Sequence, residues 1–294
     1  GCMPSVQNTE PYCADVARLA LPGNQQLSLG ETKGASGSIQ LTDFHLRKGD
    51  RVRLAVDVLA LEGLAVSGDR MSVDIGEITG IQGCLPEVGL KLKKMNLCVE
   101  VGRVSMARNQ PVKFGQESAS GGGRRFYDLL VEGLKLTQRG APADASAKIM
   151  QIETLRAELL AISTREVLGK NLQLDGVSSC LPAGIISGVD HCLNIETVSG
   201  SGRYQLDTRN LELALLDLSQ VRIVGDDGER LLEAEFAQVR QLQASTARVQ
   251  FEYLQVDDAR VFRRKMYSQE FIHRQWNTEF ETLQINRFDY LSGG

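Results

Sequence analysis

All six cysteines of the chain belong to one motif that occurs three times. Each copy has a cysteine, an apolar residue, a proline and then a second cysteine 11, 14 or 12 positions after the first. The pairs are Cys2 with Cys13, Cys84 with Cys98, and Cys180 with Cys192. Matched short-range pairs that use every cysteine are typical of a disulfide framework, which forms in an oxidising compartment. The sequence therefore predicts three disulfides and an extracytoplasmic location.

The same motif indicates an internal repeat, because its first cysteines lie 82 and 96 positions apart. Self-similarity at such a period is typical of a repeat array. We expect one continuous array with repeats at 1–83, 84–179 and 180–294, the last including further C-terminal strands. The disulfides end with the third motif while the strand pattern goes on, so the cysteines are predicted to pin hairpins of a longer sheet.

Alternation of apolar and polar residues predicts that the chain is mainly β. Val52, Leu54, Val56 and Val58 alternate with charged or small residues, and comparable runs recur along the chain. A period of two is the pattern of a strand with one apolar side. The sequence thus predicts an antiparallel sheet built from three imperfect repeats with disulfide-pinned hairpins.

The segment Ala147 to Leu168 has two interpretations. Its apolar residues fall at nearly helical spacing, which taken alone favours an amphipathic helix. Aligned with the other copies, however, Met150 to Leu155 coincides with segments that alternate as strands. We therefore predict a strand up to about Leu160, followed by a helical turn around Ser163 to Leu168.

Glycine and acidic pairs are predicted to close the long strands as turns. Thr79-Gly80 and Asp175-Gly176 precede the second and third cysteine motifs, and Asp257-Asp258 holds the equivalent place in the last copy. Asp and Gly favour turns because of local hydrogen bonding and backbone freedom. Asp226-Asp227 receives the same interpretation.

Charge and motif content argue against nucleic-acid binding and catalysis. The net charge is −4 and the pI is near 5.6, whereas nucleic-acid affinity comes mainly from lysine and arginine. No nucleophile elbow, phosphate-binding loop or dinucleotide fingerprint occurs. We predict a non-enzyme without cofactor.

Two metal sites compete with this interpretation. A zinc site at Cys180, His191 and Cys192 lacks the tight ligand pairs that zinc sites use, and the repeat explains both cysteines. Calcium at Asp226 to Glu229 stays an alternative to a plain turn, although calcium loops space their oxygens more widely. The prediction is that the chain binds no metal.

Two routes by which the protein could attach to a membrane are left open. No run of 18 apolar residues occurs, so we expect no transmembrane segment in this chain. Gly1-Cys2 matches the end of a lipobox, in which case Cys2 carries lipid; otherwise Cys2 pairs with Cys13. An anchor outside the sequence is a further route to the membrane.

The last copy resembles a known family in the segments Gly228 to Ala234, Val239 to Ala244 and Val249 to Val261. Together they show an apolar strand, a short break and a second apolar strand that ends at an Asp-(Gly/Asp) pair. This order resembles the repeating strand pattern of AsmA-like envelope proteins. These are related to TamB and to chorein-type bridge-like lipid transfer proteins. The resemblance implies an elongated, curved sheet with an apolar groove that binds or conducts lipid. It also implies a periplasmic location, with phospholipid or fatty acid as ligand and an envelope protein as a further partner.

Under this resemblance, thirteen apolar residues are predicted to face lipid. They are Val52, Leu54, Val56, Val58, Val73, Ile75, Ile152, Leu172, Leu174, Leu213, Phe236, Val249 and Phe251. Aliphatic side chains dominate this set, which suits acyl chains. The alternative is an extracellular or outer-membrane-associated scaffold for assembly, in which the same residues are packed into a closed core.

Overall fold

A computed structural model describes most of the chain and contains only β-strands as regular elements in that part. The described residues are 2–3, 12–21, 37–49, 51–67, 70–90, 93–113, 124–138, 148–163, 166–181, 191–205, 209–225, 230–245, 248–265 and 274–291. The strands are β1 (Cys2–Met3), β2 (Tyr12–Ala20), β3 (Gly37–Lys48), β4 (Arg51–Ser67), β5 (Arg70–Leu90), β6 (Lys93–Lys113), β7 (Arg124–Gln138), β8 (Lys148–Ile162), β9 (Glu166–Leu181), β10 (His191–Gln205), β11 (Asn210–Gly225), β12 (Arg230–Ala244), β13 (Arg248–Lys265) and β14 (Arg274–Leu291). The predicted mainly-β class is confirmed.

Strands that follow one another in the chain are neighbours in the sheet, in the order β1 to β14. The pairings with a described register are antiparallel, as predicted. The chain divides into two compact units, one formed by Gly1–Lys148 with Thr154–Ser163 and the other by Ile149–Glu153 with Thr164–Gly294. The bounds of the three repeats and the curvature of the sheet stay predictions.

The three predicted disulfides are present and join directly opposed positions on neighbouring strands. Cys2 pairs with Cys13, Cys84 with Cys98 and Cys180 with Cys192. Their Cα atoms are 3.9 to 4.0 Å apart. Such cross-links indicate an oxidising, extracytoplasmic environment.

The choice of strand over helix for the ambiguous segment is confirmed, since β8 runs through it from Lys148 to Ile162. The helical turn predicted after it is wrong where the structure describes it, because Glu166 to Leu168 begin strand β9. Thr164 and Arg165 lie outside the described residues. Pairing with a neighbouring strand supplies hydrogen bonds that outweigh the local helix preference of this segment.

The pairs predicted to form turns instead lie inside strands. Gly80 is within β5 and Gly176 within β9, each with a φ of 63°, and Asp258 is within β13 with a φ of 50°. The prediction of turns was therefore wrong: the residues have turn-like backbone angles, but the strand continues on both sides. Asp226-Asp227 lies outside the described residues.

Candidate functional site: the apolar face of the sheet

Apolar residues of β11 to β13 are spaced alternately by two and three positions. The residues are Leu211, Leu213, Leu216, Leu218, Val221 and Ile223 in β11; Leu232, Ala234, Ala237, Val239, Leu242 and Ala244 in β12; and Val249, Phe251, Leu254, Val256, Ala259 and Val261 in β13. In a uniform strand each step of three would move the next side chain to the opposite side. Something in the backbone must compensate if these residues share one face.

One of the two steps of three in each of these strands contains a residue with a left-handed backbone angle. Gln220 (φ 50°) lies between Leu218 and Val221, and Asp258 (φ 50°) lies between Val256 and Ala259. A left-handed residue interrupts the regular pleat and shifts the alternation by one position. The packing agrees, because Leu218 and Val256 contact the buried cluster that contains Val221 and Ala259.

The interruption is in register across neighbouring strands. Val221 is opposite Ala234 and Ser219 is opposite Phe236, so the left-handed Gln220 lies across from Glu235. The pairs Ala259 with Phe280 and Asp257 with Thr282 likewise place Asp258 across from Glu281. In both cases a left-handed residue faces an acidic residue of a neighbouring strand.

Because the steps are in register, the apolar residues form continuous rows. One row joins Leu218, Ala237, Val256 and Leu283; the next joins Leu216, Val239, Leu254 and Ile285; a third joins Ile223, Leu232 and Val261. We call the surface formed by the residues of this spacing in β11 to β13, with Phe280, Leu283, Ile285, Phe288 and Tyr290 of β14, the apolar face.

The apolar face is only partly buried. In the described part of the chain nine hydrophobic residues are buried, and each keeps an exposed fraction of 3 to 8%. No large side chain among the described residues is less than 2% exposed. Leu216, Leu218 and Val239 are half-buried, and Phe280 and Leu283 are 37% exposed. A face this apolar that is not sealed is typical of a surface that binds a partner or ligand.

Polar side chains form a hydrogen-bond network among these strands. Gln238 donates to Asp217 (2.8 Å) across β11 and β12, and Gln255 donates to Asp257 (2.6 Å) within β13. Tyr253 donates its hydroxyl to Gln255 (2.6 Å). Along each strand these polar residues lie next to residues of the apolar rows. Each strand therefore carries one set of apolar side chains and one set of polar side chains.

Ion pairs continue the polar set at the ends of the strands. Arg248 donates to both carboxylate oxygens of Asp289, at 2.7 and 2.5 Å. The hydrogen bond from Arg248 lowers the pKa of Asp289. Arg203 and Glu212 form a similar pair at 2.6 Å, and the hydrogen bond to Glu212 raises the pKa of Arg203.

The same arrangement occurs in the other unit. In β4, Leu54, Val56, Leu59 and Leu61 repeat the steps of two and three. Phe44 is opposite Val56, and Leu59 is opposite Ile78. Left-handed Gly80 lies at the step between Ile78 and Ile81, and a Cβ added to it would overlap the side chain of Asp57.

The thirteen residues predicted to face lipid fall into three groups. In rows with a described register lie Leu54, Val56, Leu172, Leu174, Leu213, Val249 and Phe251, and Ile152 of β8 shares their two-and-three spacing; of these eight, Val56 and Ile152 are buried. Val58 is in register with Thr42 and Thr79, Phe236 with Ser219 and Asp257, and Val52 is 50% exposed. The side chains of Val73 and Ile75 lie outside the described residues.

Several residues of the apolar face escaped the prediction, among them Leu216, Leu218, Val239, Leu254 and Val256. A search for strict alternation cannot find them, because it loses the phase at each step of three. The signal that could have found them is the spacing of two, three, two, three, which occurs in all four strands from β11 to β14.

Other kinds of site find little support in the described part. The sulfurs of Cys180 and Cys192 are bonded to each other. No group of three His, Cys, Asp or Glu side chains there could hold a metal ion. Among the same residues, no helix is long and apolar enough to cross a membrane. No protein family, curated protein or solved structure matches the chain in the comparisons made.

Proposed function

We propose that the chain is a non-catalytic protein of the bacterial envelope that binds the acyl chains of phospholipid or fatty acid on its apolar face. The observation that carries the proposal is the row structure: apolar side chains in register over β11 to β14, left partly exposed. Its side chains are mainly Leu, Val and Ala.

Physical chemistry supports an apolar ligand over a purely structural role. Each square ångström of apolar surface removed from water contributes about 25 cal/mol, so an uncovered sheet face is costly to leave in water. A closed core would bury these rows almost completely, whereas Leu216, Leu218 and Val239 are half-buried. Acyl chains match rows of aliphatic side chains and need no directed hydrogen bonds.

The extracytoplasmic disulfides fit such a location, and the periplasm is the part of the envelope we propose. Lipid would reach this site from a membrane, so an envelope protein is proposed as the second partner.

The test begins with protein purified without detergent, followed by native mass spectrometry and lipid extraction. We expect bound phospholipid or fatty acid. The variant L216Q/L254Q, which places two amides in one apolar row, should weaken binding of a fluorescent fatty acid about tenfold or more. The control Q238A removes a polar side chain of the intervening strand and should leave binding unchanged.

Stability of each variant is followed by urea unfolding, so that loss of binding is separated from loss of fold. Lipid-free preparations that also fail to bind added fatty acid would overturn the proposal. Equal loss of binding in Q238A would show that the apolar rows are not the site.

A further inference from the structure

The outer edge of β14 is open within the described part of the chain, since β14 is the last strand in the sheet order and pairs with β13 alone. Four of its apolar side chains are well exposed: Phe280 (37%), Leu283 (37%), Phe288 (40%) and Tyr290 (56%). An exposed strand edge offers unpaired backbone groups to another strand. The question is which strand could add to this edge without breaking the rows.

The rows impose two requirements on any added strand. Its apolar residues must meet those of β14, which are spaced by steps of two and three from Phe280 to Tyr290. Its backbone must also suit the row in which left-handed Asp258 faces Glu281, and the row in which left-handed Arg287 (φ 56°) faces Glu252. The added strand therefore needs a left-handed residue opposite Glu281 and an extended one opposite Arg287.

We propose that the occupant is β14 of a second copy, paired antiparallel about Gln284. In that register Phe280 meets Phe288 of the other copy and Leu283 meets Ile285, so the rows that end at Leu283 and Ile285 continue. Arg287, the left-handed residue, meets Glu281, the extended one, and this happens twice because the pairing is symmetric. From Phe280 to Phe288, β14 is thus its own complement in both apolar spacing and backbone conformation.

Charge complementarity supports the same pairing. Glu281 lies across from Asp258 within its own chain, a like charge. In the pair of copies, Arg287 of the other chain neutralises Glu281 from the opposite side, and opposite charges directly across a sheet are favourable. Phe288 already stacks on Phe251, with ring centroids 5.0 Å apart, and would receive Phe280 of the second copy on its free side.

Analytical ultracentrifugation over a concentration series tests the association. We expect reversible dimers. E281R puts a second arginine opposite Arg287 at both symmetric contacts and should weaken the dimer at least tenfold, as should R287E, which opposes two glutamates. The charge swap E281R/R287E restores both contacts and should restore the dimer. The matched control is E235R, which reverses the charge of an exposed acidic residue two strands in from the edge and should leave association unchanged.

Cross-linking tests the register independently. All six native cysteines are in disulfides, so an added cysteine is the only thiol. Q284C places two cysteines opposite each other and should form a covalent dimer on mild oxidation. T282C separates them by four residues, about 14 Å along the strand, and should not.

A chain that stays monomeric over the whole series would overturn the proposal. So would a dimer that ignores both charge reversals, or one in which T282C cross-links as readily as Q284C. Circular dichroism of each variant confirms that the fold is intact.

Discussion

The most informative single position of the sheet is Gly176, where the structure places a left-handed residue in the middle of β9 (φ 63°). Replacing it by Asn, Ala and Val gives a graded test of that backbone conformation. A left-handed site should rank the four residues Gly, Asn, Ala, Val in falling stability, because Asn enters this region more readily than Ala and a β-branched residue least of all. A regular strand would give the reverse order, with Val best.

The magnitudes follow from two contributions. A left-handed conformation costs Ala about 1 to 2 kcal/mol relative to Gly. A Cβ at Gly176 would also lie 2.4 Å from the Cγ and Cδ atoms of Glu153. Glu153 is exposed, so its side chain can rotate away at little cost. We therefore expect G176A to lower the free energy of unfolding by about 1 to 2 kcal/mol, and G176V by more.

Urea unfolding followed by fluorescence measures these changes, since Trp276 is the only tryptophan of the chain and belongs to β14 of the same unit. The double variant E153A/G176A removes the side-chain overlap and leaves only the backbone cost. The control E196A, on the neighbouring strand, should change stability by less than about 0.5 kcal/mol. If G176V proves as stable as the parent or more so, the left-handed residue and the phase shift built on it are refuted.

Two further predictions concern the covalent and ionic contacts of the same unit. Replacing Cys180 and Cys192 by Ser should lower the free energy of unfolding by about 3 kcal/mol, because the disulfide closes a short loop; an unchanged urea midpoint would contradict this. Arg248 lowers the pKa of Asp289 by hydrogen bonding, so this ion pair stabilises the fold fully above the ordinary Asp pKa and loses its effect as pH falls through the lowered value. R248Q should raise the pKa of Asp289 in an NMR titration, and equal titration curves in the two proteins would show that the ion pair is absent in solution.

Residues with strong local preferences made most of the secondary structure predictable. The strands after Cys13, Cys98 and Cys192 and the strand through Met150 to Leu155 were found from alternation and from the repeat. The disulfides were found from spacing alone. The turns were mislocated because Gly80, Gly176 and Asp258 carry the composition of a turn, and composition does not say whether a strand ends or continues.

The candidate site was found only in part. Leu54 and Val56 lie in apolar rows, but the next row residue is Leu59, where strict alternation had selected Val58. The shift coincides with left-handed residues that occur on every second strand along a row, such as Gln220 and Asp258 in one row of the second unit. The left-handed backbone conformation cannot be predicted from a Gln or an Asp alone, since both residues also occur in ordinary strands and loops.

The sequence by itself determined the class of the fold, the pairing of the cysteines and the oxidising environment, because these depend on local spacing and composition. The tertiary structure decided which apolar residues share a face. A face is defined by register between strands and by left-handed residues such as Gln220 and Asp258, which alternate with extended acidic neighbours across the sheet. Register joins residues that are far apart in sequence, and it exists only once the sheet has formed.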